Sequence, residues 1–434
     1  MADLSGTMRN ADRPNYTLFV LTVLSALSFM DRQILAVMIE PIKTEFNLTD
    51  LQAGIVSSLG FALGFGLLGL PLARLADRGH RRNLVVFSRG LGGVITAFGG
   101  AATGLWPLMV LRSGTALSEA GGSGGAISMI ADLFPPARRS RAMSILASGA
   151  SVGAMMAFVV GAWFAQRYGW RATLVVIGTA SLVLASIVRL TVREPLREAP
   201  NHAAAQSSIP LRQRAISDIW RATVPRWLII AAACNMFVLY SFGTWNFAYM
   251  VRTHGLSLQQ AGWIAGIAGG ASVLGGLFSG ALADRLVRNG DPRWQLGVPI
   301  IGLSIAIPIA YVYLMLPAGH ASAVFMLMIA YAFFVTWWAA PTYAALSLVV
   351  PAQRRATANS MLLISGYVLG FGAGPIVTGL VSAMLTTRFP HDALRYSLMG
   401  ITALLLMGWI ALFRAMQGYP QARMLMSGDA VGSR

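Results

Sequence analysis

Residues 73–78 read Ala73-Arg74-Leu75-Ala76-Asp77-Arg78, and residues 280–285 read Gly280-Ala281-Leu282-Ala283-Asp284-Arg285. The second stretch follows the first at a distance of 207 residues. A further pair recurs at 216 residues: Pro135, Arg138, Arg139, Ala142 and Ser144 match Pro351, Arg354, Arg355, Ala358 and Ser360. Either match alone is within reach of chance. Two matches at nearly one spacing, each on a short basic loop between apolar stretches, read as a duplicated architecture.

The apolar stretches around these loops define the class. Of the 434 residues, 56% are hydrophobic and 11% charged. A soluble domain carries about 25% charged residues. The composition therefore excludes one, along with a disordered chain, a coiled coil and a disulfide scaffold. At roughly 20 residues per membrane-spanning helix, the apolar residues suffice for about 12 spans. Twelve can be marked, at 16–40, 51–75, 83–103, 107–133, 142–166, 170–190, 225–250, 258–283, 295–316, 321–349, 356–385 and 394–413. Short connections force neighbouring spans to run antiparallel. The exception is 191–224, which holds Pro195, Pro200, Pro210 and an Ala/Ser run. The expected organisation is a six-helix bundle over 1–190, a cytoplasmic linker over 191–224, a second six-helix bundle over 225–414 and a cytoplasmic tail over 415–434. Leu211 to Trp220 is patterned for a short amphipathic helix on the membrane surface or for a solvated linker.

The net charge of +17 would suggest nucleic acid in a soluble protein. Here it follows the membrane: with the N-terminus inside, 24 cations fall on inner segments and six on outer ones. That bias predicts a multi-pass cell-membrane protein with both termini cytoplasmic, and the short loops suit a bacterial inner membrane. No nucleic-acid partner is expected, and the protein is expected to act as a monomer. Cys234, the single cysteine, excludes an internal disulfide. His80, His202, His254, His320 and His391 lie in loops or at span ends. No metal-ligand pair, nucleotide loop or nucleophile–base set appears, so no cofactor, no metal and no enzymatic activity are expected. A membrane enzyme and a channel are thereby disfavoured.

Charged groups at membrane depth mark function by default. In the first half these are Asp31 and Arg32 on the first span, Arg89 on the third, and Arg112 and Glu119 on the fourth. Arg89 lies six residues into its predicted span and reads as structural. Arg112 and Glu119 share one helical face, about 10 Å apart along the axis. From Ile219 to Ala283, and from Trp294 to His391, there is no Asp or Glu. Any protonatable carboxylate therefore comes from the first half. Glu119 is the leading candidate and Asp31 the second, the latter read as a permanently ionised partner of Arg32. The seventh span places Asn235, Leu239, Phe242, Asn246 and Tyr249 on one face, and the tenth places Tyr331, Phe334, Trp338 and Thr342 on one stripe. An aromatic surface with few polar groups suits an amphiphile or a hydrophobic drug better than a sugar acid. Ordinary helix packing is the competing account.

Asp77-Arg78-Gly79-His80-Arg81-Arg82 resembles the signature loop between the second and third helices of the major facilitator superfamily. It departs in having Ala73 for a glycine and Gly79 one residue early. Tyr168-Gly169-Trp170-Arg171 is also typical of that superfamily. Phe29-Met30-Asp31-Arg32, with Arg112, Glu119 and Asp132-Leu133-Phe134, is similar to its Spinster branch, which favours Gly where this chain has Ala116 and Ser118. The resemblance implies an all-α membrane protein of twelve helices in two pseudo-symmetric bundles. It implies proton-linked, alternating-access transport of a lysolipid- or sphingolipid-like amphiphile, with Arg32 or Arg112 available to an anionic head group. The organic-anion:proton symporters of the superfamily share the same charged set. The fifth span has Gly149 and Gly153 but lacks the proline of the antiporter signature, which weighs against a drug exporter. Asp77, Arg78, Arg81, Arg82, Asp132, Arg138, Arg139, Asp284 and Arg285 form the expected cytoplasmic gate. Exposed pairs worth about 0–1 kcal/mol each suit one that must open on every cycle.

Overall fold

The computed structural model describes residues 13–60, 64, 79–195, 213–288, 290–351 and 354–428. Every regular element among them is helical. Internal contacts divide the chain into two units: Met1–Leu48 with Ile55–Ser207, and Thr49–Gly54 with Ser208–Arg434. Eight described segments are long and apolar enough to cross a membrane.

Unit 1 begins with α1 (Pro14–Phe46). It ends on Asn47, whose φ of 50° is a left-handed conformation that asparagine tolerates, and the Leu48 N–H closes back on the Lys43 carbonyl. The helix α2 is described over 50–60, and its opening residues group with unit 2. Next come α3 (Arg81–Gly99) and α4 (Leu105–Leu133), neither of which counts among the eight apolar segments. Their buried arginines and glutamate are why. The following apolar run, Arg138–Thr191, is two helices. Gly169 breaks it, with φ 80° and ψ 166°, a conformation L-residues avoid. Hence α5 covers 136–168 and α6 covers 170–191. Glu45 at the end of α1 accepts hydrogen bonds from Trp170 and Arg171 at the start of α6, each at 2.6 Å. The α1–α5 crossing is very close: a Cβ on Gly153 would stand 2.0 Å from the Ala26 carbonyl oxygen. The Gly149/Gly153 spacing is thus a backbone-to-backbone contact.

Unit 2 opens with the short helix α7 (Gln213–Arg221), which buries Ile219 and exposes Ile216 and Trp220. Its Asp218 pairs with Arg354 at 2.9 Å. The long helices follow: α8 (Thr223–His254), α9 (Leu258–Arg288) and α10 (Trp294–Met315). Then come α11 (Ala321–Val335, a 3₁₀ turn Thr336–Trp338, Ala339–Leu348), α12 (Arg355–Ser365, a π-helical stretch Gly366–Ala373, Gly374–Leu385) and α13 (Ala393–Thr402, Leu404–Gly428). Gly255, with φ 63°, ends α8 in the left-handed cap that glycine favours.

The duplication runs deeper than the two loop matches. Leu48-Thr49 with Gln52-Ala53-Gly54 recurs as Leu256-Ser257 with Gln260-Ala261-Gly262. Both build the same reciprocal capping box: the Gln side chain accepts from the Thr49 or Ser257 N–H, and that hydroxyl accepts from the Gln N–H. Corresponding helices also carry corresponding irregularities. The π turn of α5, Ala157–Gly161, has its counterpart at Gly366–Ala373 in α12. Such turns recur at functional sites because they free carbonyls and re-aim side chains.

Candidate functional site

In unit 1, three helices bring five charged side chains into one buried cluster. Residues Asp31 and Arg32 come from α1, Arg89 from α3, and Arg112 and Glu119 from α4. Asp31, Arg89, Arg112 and Glu119 are all buried. Arg32 Nη1 lies 3.0 Å from Glu119 Oε1. Asp31 Oδ2 accepts a hydrogen bond from Thr96 at 3.1 Å, and Arg112 donates to the Asp31 backbone carbonyl at 3.4 Å. Asp31 also lies in the electrostatic field of Arg112, Arg89 and Glu119. The cluster therefore crosses over: Arg32 turns to Glu119, and Asp31 to Thr96 and the field of Arg112. The expected Asp31–Arg32 partnership does not form, because consecutive helical residues point about 100° apart. The second carboxylate oxygen of Glu119 and the Oδ1 of Asp31 have no hydrogen-bond partner among the described residues.

Arg89 departs furthest from the sequence reading. It is 5% exposed and donates to Ser28 and, at 3.4 Å, to Ser118. Because α3 starts at Arg81, Arg89 sits eight residues in, roughly 12 Å of rise. A span starting at 83 puts Arg89 only six residues in, near the interface. Gly122 of α4 is the complementary feature, since a Cβ there would stand 2.2 Å from Arg89 Nε.

This cluster opens on a cavity of about 460 Å³ in unit 1. Arg89, Glu119 and Ser123 supply its polar end. Leu21, Leu24 and Phe29 of α1, Ile127 of α4, and Met143 and Leu146 of α5 supply an apolar wall. Its size falls in the range of small-molecule sites.

The unit 2 residues expected to line a cavity make the following contacts. Asn246 accepts a hydrogen bond from the Tyr313 hydroxyl at 2.6 Å, and Tyr249 donates to the Leu314 carbonyl at 3.0 Å. Both therefore tie α8 to α10. Asn235 donates to the Ala231 carbonyl at 2.8 Å and faces Gly408 of α13. Phe334 packs on Phe333 and Trp337. A stripe at spacings of three and four marks a buried face but not what covers it. Phe242 and Tyr331 meet at 5.1 Å between centroids, and Trp338 and Thr342 are buried. The Tyr331 and Thr342 hydroxyls have no partner among the described residues.

Of the expected gate, Asp77 and Arg78 lie outside the described residues. Arg81 is 2% exposed and pairs with Asp132. It also pairs with Glu194 at 3.0 Å, and donates to the Pro195 carbonyl at the same distance. Glu194 further accepts from the Arg82 N–H at 2.7 Å. All of these partners belong to unit 1, so this network holds one unit together. Sequence reading missed Glu194 because it lies over 110 residues from Arg81. Arg138 is exposed, and Arg139 donates to the Phe134 carbonyl at 3.3 Å. Asp284 and Arg285 are exposed and make no ion pair among the described residues.

One acid was overlooked. Asp50, 4% exposed, belongs by its contacts to unit 2. It pairs with Arg252 of α8 at 3.0 Å and accepts from Ser382 of α12 at 2.5 Å. The acid-poor second bundle thus acquires a buried carboxylate from the first sixty residues of the chain.

Known proteins resemble the chain throughout its length. Residues 21–375 match the Major Facilitator Superfamily. An MFS-type efflux pump of Mycolicibacterium smegmatis is 33% identical over 407 residues, covering 92% of each chain. A D-galactonate transporter of Escherichia coli O6:H1 is 27% identical over 410 residues, 86% of this chain and 91% of that one. A crystal structure of a bacterial homologue of the human lysosomal transporter Spinster, inward-facing and unoccupied, superposes with a TM-score of 0.83. It is 24% identical and covers 94% of this chain and 98% of its own.

Proposed function

Because the chain belongs to the major facilitator superfamily, a family of multi-pass membrane transporters, we propose that it is a secondary transporter for an amphiphilic, lysolipid- or sphingolipid-like molecule, driven by protons through alternating access. The observation that carries this reading is the unit 1 cavity: buried charges at one end, aliphatic and aromatic wall along the rest. A polyhydroxylated acid needs hydrogen-bond partners around its whole length, and this wall offers few. A single apolar chain with a polar head matches both ends.

Glu119 is the proton carrier in this reading. Its carboxylate pairs with Arg32 at 3.0 Å. Loss of that pair leaves a buried charge, and a proton is then the cheapest neutraliser. Substrate entry beside Glu119 disturbs that pair and couples the two events. Asp31, held by Thr96 and the field of Arg112, sets the position and potential of the pair. The Arg81–Asp132–Glu194 network forms the inner-side clamp of the N-terminal bundle, with both termini in the cytoplasm of a bacterial cell.

Organic-anion:proton symport is the second reading. It is supported by the likeness to the D-galactonate transporter and by the three buried arginines. The likeness to an efflux pump supports outward movement of an apolar cargo instead.

Purified protein in liposomes under an imposed pH gradient separates these readings. Labelled lysophospholipid is expected to move with the gradient, and Glu119→Gln is expected to reduce that movement to the gradient-free level. Movement of galactonate without lysophospholipid would transfer the assignment to the organic-anion reading. Gradient-driven movement that survives Glu119→Gln would remove Glu119 as the carrier.

A further inference from the structure

Among the described residues, three arginines, Arg32, Arg89 and Arg112, share the buried cluster with two carboxylates, Asp31 and Glu119. One positive charge is in excess even when both acids are ionised. Arg32 is taken by Glu119, and Arg112 lies against Asp31. Arg89 makes no ion pair among the described residues; its hydrogen bonds go to the hydroxyls of Ser28 and Ser118. Its Nε has no partner at all among them. Yet Arg89 is the arginine that lines the cavity. An unpaired guanidinium buried in a membrane-spanning bundle is costly unless an anion completes it. The glycine at 122 keeps the α4 side of its Nε edge clear of side-chain atoms.

We propose that Arg89 is the head-group ligand of this transporter, and that the cargo is therefore an amphiphile with an anionic oxygen head, phosphate or carboxylate, and one apolar chain. This rests on the amphiphile reading above and narrows it. The head sits at Arg89 between Ser28, Ser118 and Ser123, and the chain lies along Leu21, Leu24 and Met143. Guanidinium pairs with oxyanions through directed, charge-assisted hydrogen bonds, so a neutral head of equal size is discriminated against by about tenfold or more.

The test compares dodecyl phosphate with dodecanol on the full-length protein in phosphatidylcholine nanodiscs, with partition into protein-free discs subtracted. The quantity read is the ratio of the two affinities. Wild type is expected to favour dodecyl phosphate by about tenfold or more, and Arg89→Gln to bring the ratio close to one. Arg89→Lys, which keeps the charge, is expected to retain part of the preference. Gly122→Ala keeps the arginine but pushes a methyl against its Nε, and is expected to lower the ratio as well. Should Arg89→Gln prove poorly folded, these two variants carry the comparison. Inorganic phosphate in large excess is expected not to displace dodecyl phosphate; displacement would mark a free-anion site and overturn the proposal. A wild-type ratio of one, or a ratio unchanged in Arg89→Gln, also overturns it while leaving the amphiphile reading intact. If neither dodecyl compound binds, the amphiphile reading itself fails.

Discussion

Glu119 and Arg32 show how one buried pair is read in two ways. As a pair they are held at 3.0 Å with little water access. A partner removed from such a pair leaves an uncompensated charge, which costs about 3–5 kcal/mol, whereas removing both is far better tolerated. Arg32→Gln is therefore expected to lower the melting temperature of the detergent-purified protein more than the double variant Arg32→Gln/Glu119→Gln does. The opposite order would mean that the pair contributes nothing to the fold. Sequence reading found Asp31, Arg32, Arg112 and Glu119 because ionisable residues stand out in an apolar span. It did not settle which acid meets which arginine, since adjacent positions on one helix diverge in space. It undervalued Arg89 because side-chain depth depends on where a helix begins, and helix ends are the least legible feature of a sequence.

At the scale of the element, the close crossings rest on single glycines. Gly275 and Gly276 are neighbours on α9 with opposite surroundings. A Cβ on Gly275 would stand 2.0 Å from the Phe333 carbonyl, whereas one on Gly276 meets nothing within 4 Å. Overpacking typically costs about 1–3 kcal/mol, while Gly→Ala in an open helical position gains up to about 1 kcal/mol from helix propensity. Gly275→Ala is expected to destabilise the protein, and Gly276→Ala to leave its melting temperature unchanged or raised. Equal effects in thermal scans would show that the α9–α11 crossing relaxes. The same contrast between pattern and partner explains the aromatic stripes. Helical spacing found faces of α8 and α11 that are mostly buried, though Leu239 is exposed and Phe334 half-buried; Asn246 and Tyr249 serve α10, and Asn235 serves α13. A period of 3.6 tells which residues share a face and is silent on the helix that covers it.

At the scale of the whole molecule, arginine placement sets the expected orientation. A cytoplasmic fluorescent reporter at the C-terminus should light up, and alkaline phosphatase inserted after Gly255 should be active, because positive-inside topology places that loop outside. A dark C-terminal reporter with an inactive phosphatase insertion would invert the assignment of every loop. The duplication was legible as two recurring loops. The matching capping boxes and π turns became visible only with backbone geometry. What the sequence alone determined is the membrane class, the all-helical fold, the superfamily likeness and the concentration of charge in the first bundle. The likeness rests on short motifs, and the rest follows from composition and local periodicity, which the bilayer enforces strictly by requiring apolar spans with internally satisfied backbones. Only the tertiary structure decided the crossed pairing of Arg32 with Glu119, the entry of Arg89 into the cavity, the clamp of Arg81 on Glu194, and the assignment of Asp50 to the second unit. Each joins residues far apart in the chain, and such contacts are set by which helix faces which, a relation no local pattern encodes.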